Sequence, residues 1–315
     1  MAKKTRRSAH TNNGDRILAY LHSAVDIGMR HHRWAAAFFI AAGVLVVGAA
    51  LRAGQATPTQ APGAPPAAAD VPAPRTDQNS LTAHEQLLQK ARSGGIDVYF
   101  EGDSIARRWG ALDYPAFLAN WKENFFGWNA ADFGWGADKT QHILWRLDNG
   151  ELDAVNPKVI VVLAGTNNVG AQPGGDAKVA EITRGLAAIL ARCRAKAPSA
   201  TIILTAIFPR NDNMAVMPEI NRINANLAQM ADGKRVRYLD VNDKLADADG
   251  RLFDGMMNSD KLHPSLKGYQ VWADALKPIF KELLGPPAAT DHAPPATGDP
   301  SAGRRGGLEA WRLGG

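Results

Sequence analysis

A serine that directly follows an apolar stretch is the best candidate nucleophile of this chain. Residues 96–104 begin as a strand-like run and end in Gly-Asp-Ser, which places Ser104 where the run stops. A serine hydroxyl attacks a carbonyl only when a base lies within hydrogen-bond reach and a third group orients that base. Such a pair occurs downstream, because Asp260 and His263 stand three residues apart in a turn closed by Pro264. These residue types predict acyl-transfer chemistry.

Two further blocks between the serine and the histidine carry candidate hydrogen-bond donors. Residues 134–138 are Gly-Trp-Gly-Ala-Asp, and residues 165–168 are Gly-Thr-Asn-Asn. The tetrahedral intermediate of acyl transfer carries a negative oxygen, which preorganised N–H groups stabilise. Taken alone, Gly-Asp-Ser is more often a turn, and Asp-x-x-His could be a metal pair or a surface turn. No third ligand stands at a suitable spacing, so a metal site is disfavoured and no cofactor is implied.

An alternation of strand-like and helical patterns positions these blocks. Apolar residues recur at helical spacing from Val179 to Leu190, from Ile220 to Met230 and from Leu266 to Leu283. The alternation predicts parallel strands joined by crossover helices, with the ligand crevice at the carboxyl ends of the strands. Cys193 is the only cysteine and falls on an apolar helix face, so we expect an inert core side chain and no internal disulfide. The strand-like runs are 96–100, 130–133, 159–164, 201–207 and 236–239.

The four blocks, taken in order, resemble the SGNH, or GDSL-type, hydrolase superfamily. The likeness extends to the platelet-activating-factor acetylhydrolase alpha subunits and their bacterial esterase relatives, particularly from Asp132 to Leu152 and from Asn156 to Val162. The resemblance implies a three-layer αβα sandwich around a central, mainly parallel five-stranded sheet, as in flavodoxin-like folds. It also implies a serine esterase that cleaves short acyl esters, acetyl esters above all, through an acyl-enzyme.

The resemblance also assigns roles to individual residues. Ser104 would be the nucleophile, His263 the base and Asp260 the group that orients the imidazole. The short spacing of Asp260 and His263 independently allows the carboxylate to reach one ring nitrogen and leaves the other for Ser104. Thr166 and Asn168 are expected to brace their loop rather than to contact substrate.

The implied oxyanion hole uses the backbone N–H of Ser104, the side-chain amide of Asn167 and a backbone N–H of the second block. The family has a glycine where this chain has Ala137, with Gly136 one place earlier. Alanine keeps a backbone donor unless the backbone angles require glycine. We therefore expect Ala137 to be the third donor and hold Gly136 as the substitute.

Tryptophans are concentrated around the first two blocks. Core packing is their ordinary explanation, and an aromatic platform for sugar rings or an acyl pocket is the alternative. Trp135, beside the expected oxyanion loop, is the candidate substrate contact. The five tryptophans are Trp109, Trp121, Trp128, Trp135 and Trp145.

The 315 residues divide by composition into five parts. Residues 1–33 carry the whole net charge of +5, so the remainder gives no reason to expect a nucleic-acid partner. Residues 34–51 lack charge and are near the short limit for a bilayer span, as a transmembrane anchor or a signal-peptide core. Residues 52–80 are a predicted Pro/Ala-rich linker, residues 81–284 the hydrolase domain and residues 285–315 a disordered tail.

A basic flank before an apolar segment favours export, with the domain periplasmic or extracellular and anchored if the segment is not cleaved. The substrate would be a small acyl ester or an acetylated glycan, and the likeness to the alpha subunits hints at a homodimer. Two alternatives stay open at this level. The same residues could transfer the acyl group to envelope glycans as an O-acetyltransferase, or the fold could serve as a catalytically silent binding module.

Overall fold

A computed structural model describes residues 67–153 and 155–301. Helices and strands alternate through this part of the chain, as the sequence patterns predict. Each of the five predicted strand-like runs overlaps a strand. In chain order the elements are α1 (Gln78–Arg92), β1 (Val98–Gly102), α2 (Ser104–Gly110), α3 (Pro115–Phe125), β2 (Ala130–Asp132), α4 (Thr140–Asp148), β3 (Val159–Leu163), α5 (Thr166–Val169), α6 (Gly175–Lys196), β4 (Thr201–Thr205), α7 (Met217–Gln229), β5 (Val236–Leu239), α8 (Asn242–Leu245) and α9 (Leu266–Leu284).

The five strands form one parallel sheet in the order β2-β1-β3-β4-β5. The central strand β3 has the sequence Val-Ile-Val-Val-Leu and is buried throughout. A run of branched apolar residues without polar alternation is what a parallel strand covered on both faces requires. Because all strands run the same way, their carboxyl ends meet at one edge of the sheet. The predicted α/β fold with a central five-stranded sheet is confirmed.

Two apolar clusters cover the two faces of the sheet. Alternate residues of a strand enter opposite clusters: Ile160 belongs to the cluster that contains side chains of α1, α4, α6 and α7, and Val161 to the cluster that contains side chains of α2, α3 and α9. Cys193 is buried and free in the first cluster. The second cluster contains Trp109, Trp121 and Trp128, which stack on or meet edge-on with other rings. Core packing therefore accounts for these three tryptophans.

The packed part of the chain extends beyond the predicted limits of 81–284. On the amino-terminal side, residues 67–77, here called the N-terminal segment, lie against α4 and α6; the Ala69 carbonyl accepts from Thr140 Oγ1 at 2.7 Å. On the carboxyl-terminal side, residues 286–301 lie beside the edge strand β2 instead of forming a free tail. There the Ala288 N–H donates to the Gly127 carbonyl at 2.9 Å.

The remaining predictions about the chain ends fall largely outside the described residues. The basic flank 1–33, the apolar segment 34–51 and the first part of the predicted linker belong to this group. Within 67–153 and 155–301, no helix combines the length and apolar character that a bilayer crossing requires.

Candidate active site

The junction between β1 and α2 presents Ser104 at the carboxyl edge of the sheet. The strand ends at Gly102, and Asp103 caps the helix because its side chain accepts from the Ile105 N–H at 2.9 Å. Ser104 is the first residue of α2 and is half-buried. The Tyr269 hydroxyl of α9 donates to the Ile105 carbonyl at 2.8 Å, which fixes the start of α2 against the last helix.

Ser104, His263 and Asp260 form one hydrogen-bonded chain. Ser104 Oγ lies 2.8 Å from His263 Nε2, and His263 Nδ1 lies 2.7 Å from Asp260 Oδ2. The second carboxylate oxygen, Oδ1, accepts from the backbone N–H groups of Leu262 at 3.1 Å and His263 at 3.0 Å. The turn before α9 therefore holds acid and imidazole as one unit. The structure brings together the three residues that the sequence singles out.

The electrostatics of this chain favour a neutral imidazole and an ionised carboxylate. Partial burial alone would raise the pKa of Asp260, but hydrogen bonds from His263 and Leu262 outweigh it and lower the pKa to about 2. The pKa of His263 is lowered, first by burial and then by the positive charge of Arg108, against the opposing pull of Asp260. A neutral imidazole can accept a proton from a serine hydroxyl at neutral pH.

The predicted oxyanion donors lie on two loops that are tied together. Asn167 Nδ2 donates to the Asp138 carbonyl at 2.9 Å. A primary amide has two N–H donors, so the other remains for a substrate oxygen. Ala137 is exposed and has a positive φ of 63°, a conformation that favours glycine. Gly136 has no positive φ and open space around a virtual Cβ, so the conformational demand for glycine falls on position 137.

A buried cluster of charged side chains contacts the loop that holds Ala137. Arg146 contacts Glu101 at 2.8 Å, Asp138 at 2.8 Å and Glu151, and it donates to the Phe133 carbonyl at 2.9 Å. One guanidinium thus joins the end of β1 to the loop that holds Ala137. Burial raises the pKa of Glu101 to about 8 against the attraction of Arg146, and burial likewise raises the pKa of Asp138 to about 6.

The structure places Trp135 inside the protein rather than at an open surface. Only 8% of its area is exposed, its indole N–H donates to Ser80 Oγ at 2.8 Å, and the Arg107 guanidinium lies 4.7 Å from the ring centroid. These contacts make it a packing residue, in contrast to the predicted substrate contact. The expected bracing by Asn168 is seen in its Oδ1, which accepts from the Thr140 N–H at 2.9 Å.

The sequence motifs do not reveal two arginines that lie beside the site. Arg108 stands one helical turn after Ser104, and its guanidinium lies 3.3 Å from Asp260 Oδ2, the oxygen that also faces His263. Arg146 gives a local signal only in its position within the stretch from Asp132 to Leu152 that carries the family resemblance. Among residues 67–153 and 155–301 no group of three His, Cys, Asp or Glu side chains is arranged to hold a metal ion.

Comparison with known proteins identifies the family of this chain. Residues 100–271 match the model of the GDSL-like Lipase/Acylhydrolase family, which is more than half of the chain. The chain belongs to this family. It is therefore an ester hydrolase, and the resemblance predicted from its motifs is confirmed.

Individual relatives match about two thirds of this family member. The human platelet-activating factor acetylhydrolase IB subunit alpha1 is 31% identical over 210 residues, which are 66% of this chain and 85% of the human protein. The rat alpha2 subunit is 30% identical over 225 residues, 70% of this chain and 90% of the rat protein. A solved Bacteroides fragilis structure superposes with a TM-score of 0.53 at 19% identity, over 66% of this chain and 99% of that one, which supports the fold alone.

Proposed function

We propose that this hydrolase cleaves short-chain acyl esters, chiefly acetyl esters, through a covalent intermediate on Ser104. The observation that carries the proposal is the hydrogen-bonded chain from Ser104 Oγ through His263 to Asp260, at 2.8 and 2.7 Å. A hydroxyl, a base with a lowered pKa and an ionised orienting carboxylate are the parts that acyl transfer needs.

In the first half-reaction, Ser104 Oγ attacks the ester carbonyl while its proton passes to His263 Nε2. The carbonyl oxygen becomes an oxyanion, which the N–H groups of Ser104, Ala137 and Asn167 stabilise. Collapse of the intermediate breaks the bond to the alcohol, which leaves with the proton from His263. Asp260 remains ionised throughout and stabilises the imidazolium through Nδ1.

In the second half-reaction, water replaces the alcohol. His263 removes one proton from the water as its oxygen attacks the acyl carbon of the acyl-enzyme. A second oxyanion forms in the same place, and its collapse returns the proton to Ser104 Oγ and releases the carboxylic acid.

The preference for acetyl is supported by the relatives, whose names describe acetylhydrolases. A panel of p-nitrophenyl esters of increasing chain length tests it on the full-length chain. We expect the highest kcat/KM for acetate and a decline toward longer acyl groups. Activity that rises with chain length would reject the acetyl assignment, and hydrolysis retained by Ser104→Ala would reject the mechanism.

The acceptor and the site of action are part of the same proposal. Water is the proposed acceptor, and product analysis with an added saccharide would reveal transfer instead. We place the enzyme outside the cytoplasmic membrane, because residues 34–51 are uncharged and follow the basic residues 1–33. Protease digestion of spheroplasts, whose cytoplasmic membrane is intact but whose outer face is accessible, tests this location, since only a cytoplasmic domain would be protected.

A further inference from the structure

The peptide unit between Gly136 and Ala137 connects the expected oxyanion hole to a charged side chain. A trans peptide is planar, and its C=O and N–H point in opposite directions. The bond is trans, as are all described peptide bonds in 67–153 and 155–301. Whatever holds the Gly136 carbonyl therefore also orients the Ala137 N–H. Arg75 Nη1 donates to that carbonyl at 3.0 Å.

The turn that contains this peptide unit has two alternative orientations. The Asp138 N–H donates to the Trp135 carbonyl at 3.3 Å, so Gly136 and Ala137 are the two central residues of a β-turn. With φ of 63° at Ala137 and no positive φ at Gly136, the turn has the signs of type II. Rotation of the central peptide gives a type I turn, in which the residue at position 137 has a negative φ.

Local preferences oppose the observed orientation. Type II turns favour glycine at their third position, whereas the Cβ of alanine is disfavoured in the left-handed region. No heavy atom lies within 4 Å of a Cβ placed on Gly136, so packing does not restrain the peptide there. A hydrogen bond from a cation to the Gly136 carbonyl holds the less favoured orientation. The same hydrogen bond polarises the peptide and strengthens the Ala137 N–H as a donor.

Arg75 is itself held in place from several sides. Its other nitrogen, Nη2, lies 2.9 Å from Asp77 Oδ2, and Nη1 lies 3.4 Å from Asp138 Oδ1. The backbone before it is fixed by a hydrogen bond from the Ala73 N–H to the Gln141 carbonyl at 3.0 Å. The Arg75 side chain is 26% exposed. Its replacement therefore leaves no cavity in the core.

The fold also makes room for the segment that carries Arg75. A Cβ on Gly185 of α6 would lie 2.6 Å from the Ala69 carbonyl, so a glycine at this position allows the close approach. Arg184 of the same helix pairs with Asp70 at 3.1 Å. The N-terminal segment is therefore seated on α6 and α4 before it reaches the loop at 134–138.

We propose that Arg75 is a positioning residue for the oxyanion hole: it fixes the Gly136–Ala137 peptide so that the Ala137 N–H faces the developing oxyanion. This inference rests on the proposed esterase function. It makes the N-terminal segment, which lies outside the predicted hydrolase domain, a component of the active site.

The test compares Arg75→Met with Arg184→Met in the full-length chain, using p-nitrophenyl acetate. Removal of an oxyanion donor lowers turnover about 10²- to 10³-fold, and loss of its orientation alone should lower kcat at least about fivefold. KM should change little, because the donor acts on the transition state. Arg184→Met removes a contact of the same segment but does not touch the loop, and we expect wild-type kcat.

A second substitution separates orientation from general stability. Glycine adopts a positive φ without penalty, so adding Ala137→Gly to Arg75→Met should raise kcat at least about threefold above that of Arg75→Met alone. Thermal unfolding is recorded for every variant. If Arg75→Met does not fold, Arg75→Gln replaces it under the same fivefold threshold, since glutamine keeps a polar side chain but lacks the positive charge.

Three outcomes overturn the inference: a kcat of the Arg75 variant within fivefold of wild type, an equal loss in Arg184→Met, or no recovery on adding Ala137→Gly. Ser104→Ala is assayed in parallel to separate this inference from the proposed function. Hydrolysis retained by Ser104→Ala contradicts the function itself. An inactive Ser104→Ala beside an unimpaired Arg75→Met contradicts only the role of Arg75.

Discussion

Replacement of Asn167 by alanine should lower kcat strongly and the free energy of unfolding only slightly. In the proposed mechanism one amide N–H of Asn167 contacts the oxyanion, and loss of such a donor lowers kcat about 10²- to 10³-fold. The other N–H makes the 2.9 Å hydrogen bond to the Asp138 carbonyl. Its loss should lower the free energy of unfolding by about 1 kcal/mol, or the melting temperature by about 2–4 °C.

Asn168 provides the matched control for this substitution. Its amide nitrogen donates to Thr140 Oγ1 at 3.1 Å and Gln141 Oε1 at 3.0 Å, and its oxygen accepts from the Thr140 N–H. Asn168→Ala should therefore lower stability more than Asn167→Ala does, and lower kcat much less. Both variants are assayed for kcat on p-nitrophenyl acetate and for thermal unfolding. A kcat of Asn167→Ala within about tenfold of wild type, or an equal rate loss in Asn168→Ala, would refute the donor assignment.

Three further predictions follow from the charges and backbone of the site. Because the pKa of His263 is lowered, kcat/KM should fall only below about pH 6.5. Arg108→Gln removes a positive charge and should therefore move this acidic limb of the pH profile to higher pH. An unmoved limb would contradict the effect of Arg108 on the pKa of His263. Ala137→Gly should raise the free energy of unfolding by about 0.5–1 kcal/mol, because relief of the positive φ exceeds the cost of the added unfolded-state entropy. A lower free energy of unfolding, measured by urea unfolding, would contradict this prediction. Glu101 has a folded-state pKa of about 8, so its contribution to stability falls as pH rises from its ordinary value through 8. Urea unfolding at several pH values should show a weaker decline for Glu101→Gln, and an unchanged slope would contradict the burial argument.

Local sequence patterns predicted most of the fold and the hydrogen-bonded chain of the site. The run at 159–164 is one of the five strand-like runs of the sequence, and it forms the buried central strand β3. Asp260 and His263 are close in the chain, so a turn alone brings their side chains together. Ser104 lies beside them because β1 ends at the carboxyl edge of the sheet, where the turn before α9 also lies.

Interactions between distant parts of the chain were not predictable in the same way. The N-terminal segment has few large apolar residues, and composition alone made it a spacer; it packs because α4, Gly185 and the loop at 134–138 supply its partners. Arg146 binds three carboxylates from separate elements, and no periodicity reveals such a cluster. Trp135 adjoins the oxyanion loop in sequence, yet its ring packs inward against Arg107.

Reaction of the full-length chain with a fluorophosphonate, followed by peptide mapping, tests most directly whether Ser104 is the activated nucleophile. The 2.8 Å contact with His263 Nε2 predicts a single covalent adduct on Ser104, absent from Ser104→Ala and formed much more slowly by His263→Ala. An adduct on a different residue, or undiminished labelling of either variant, would contradict the account.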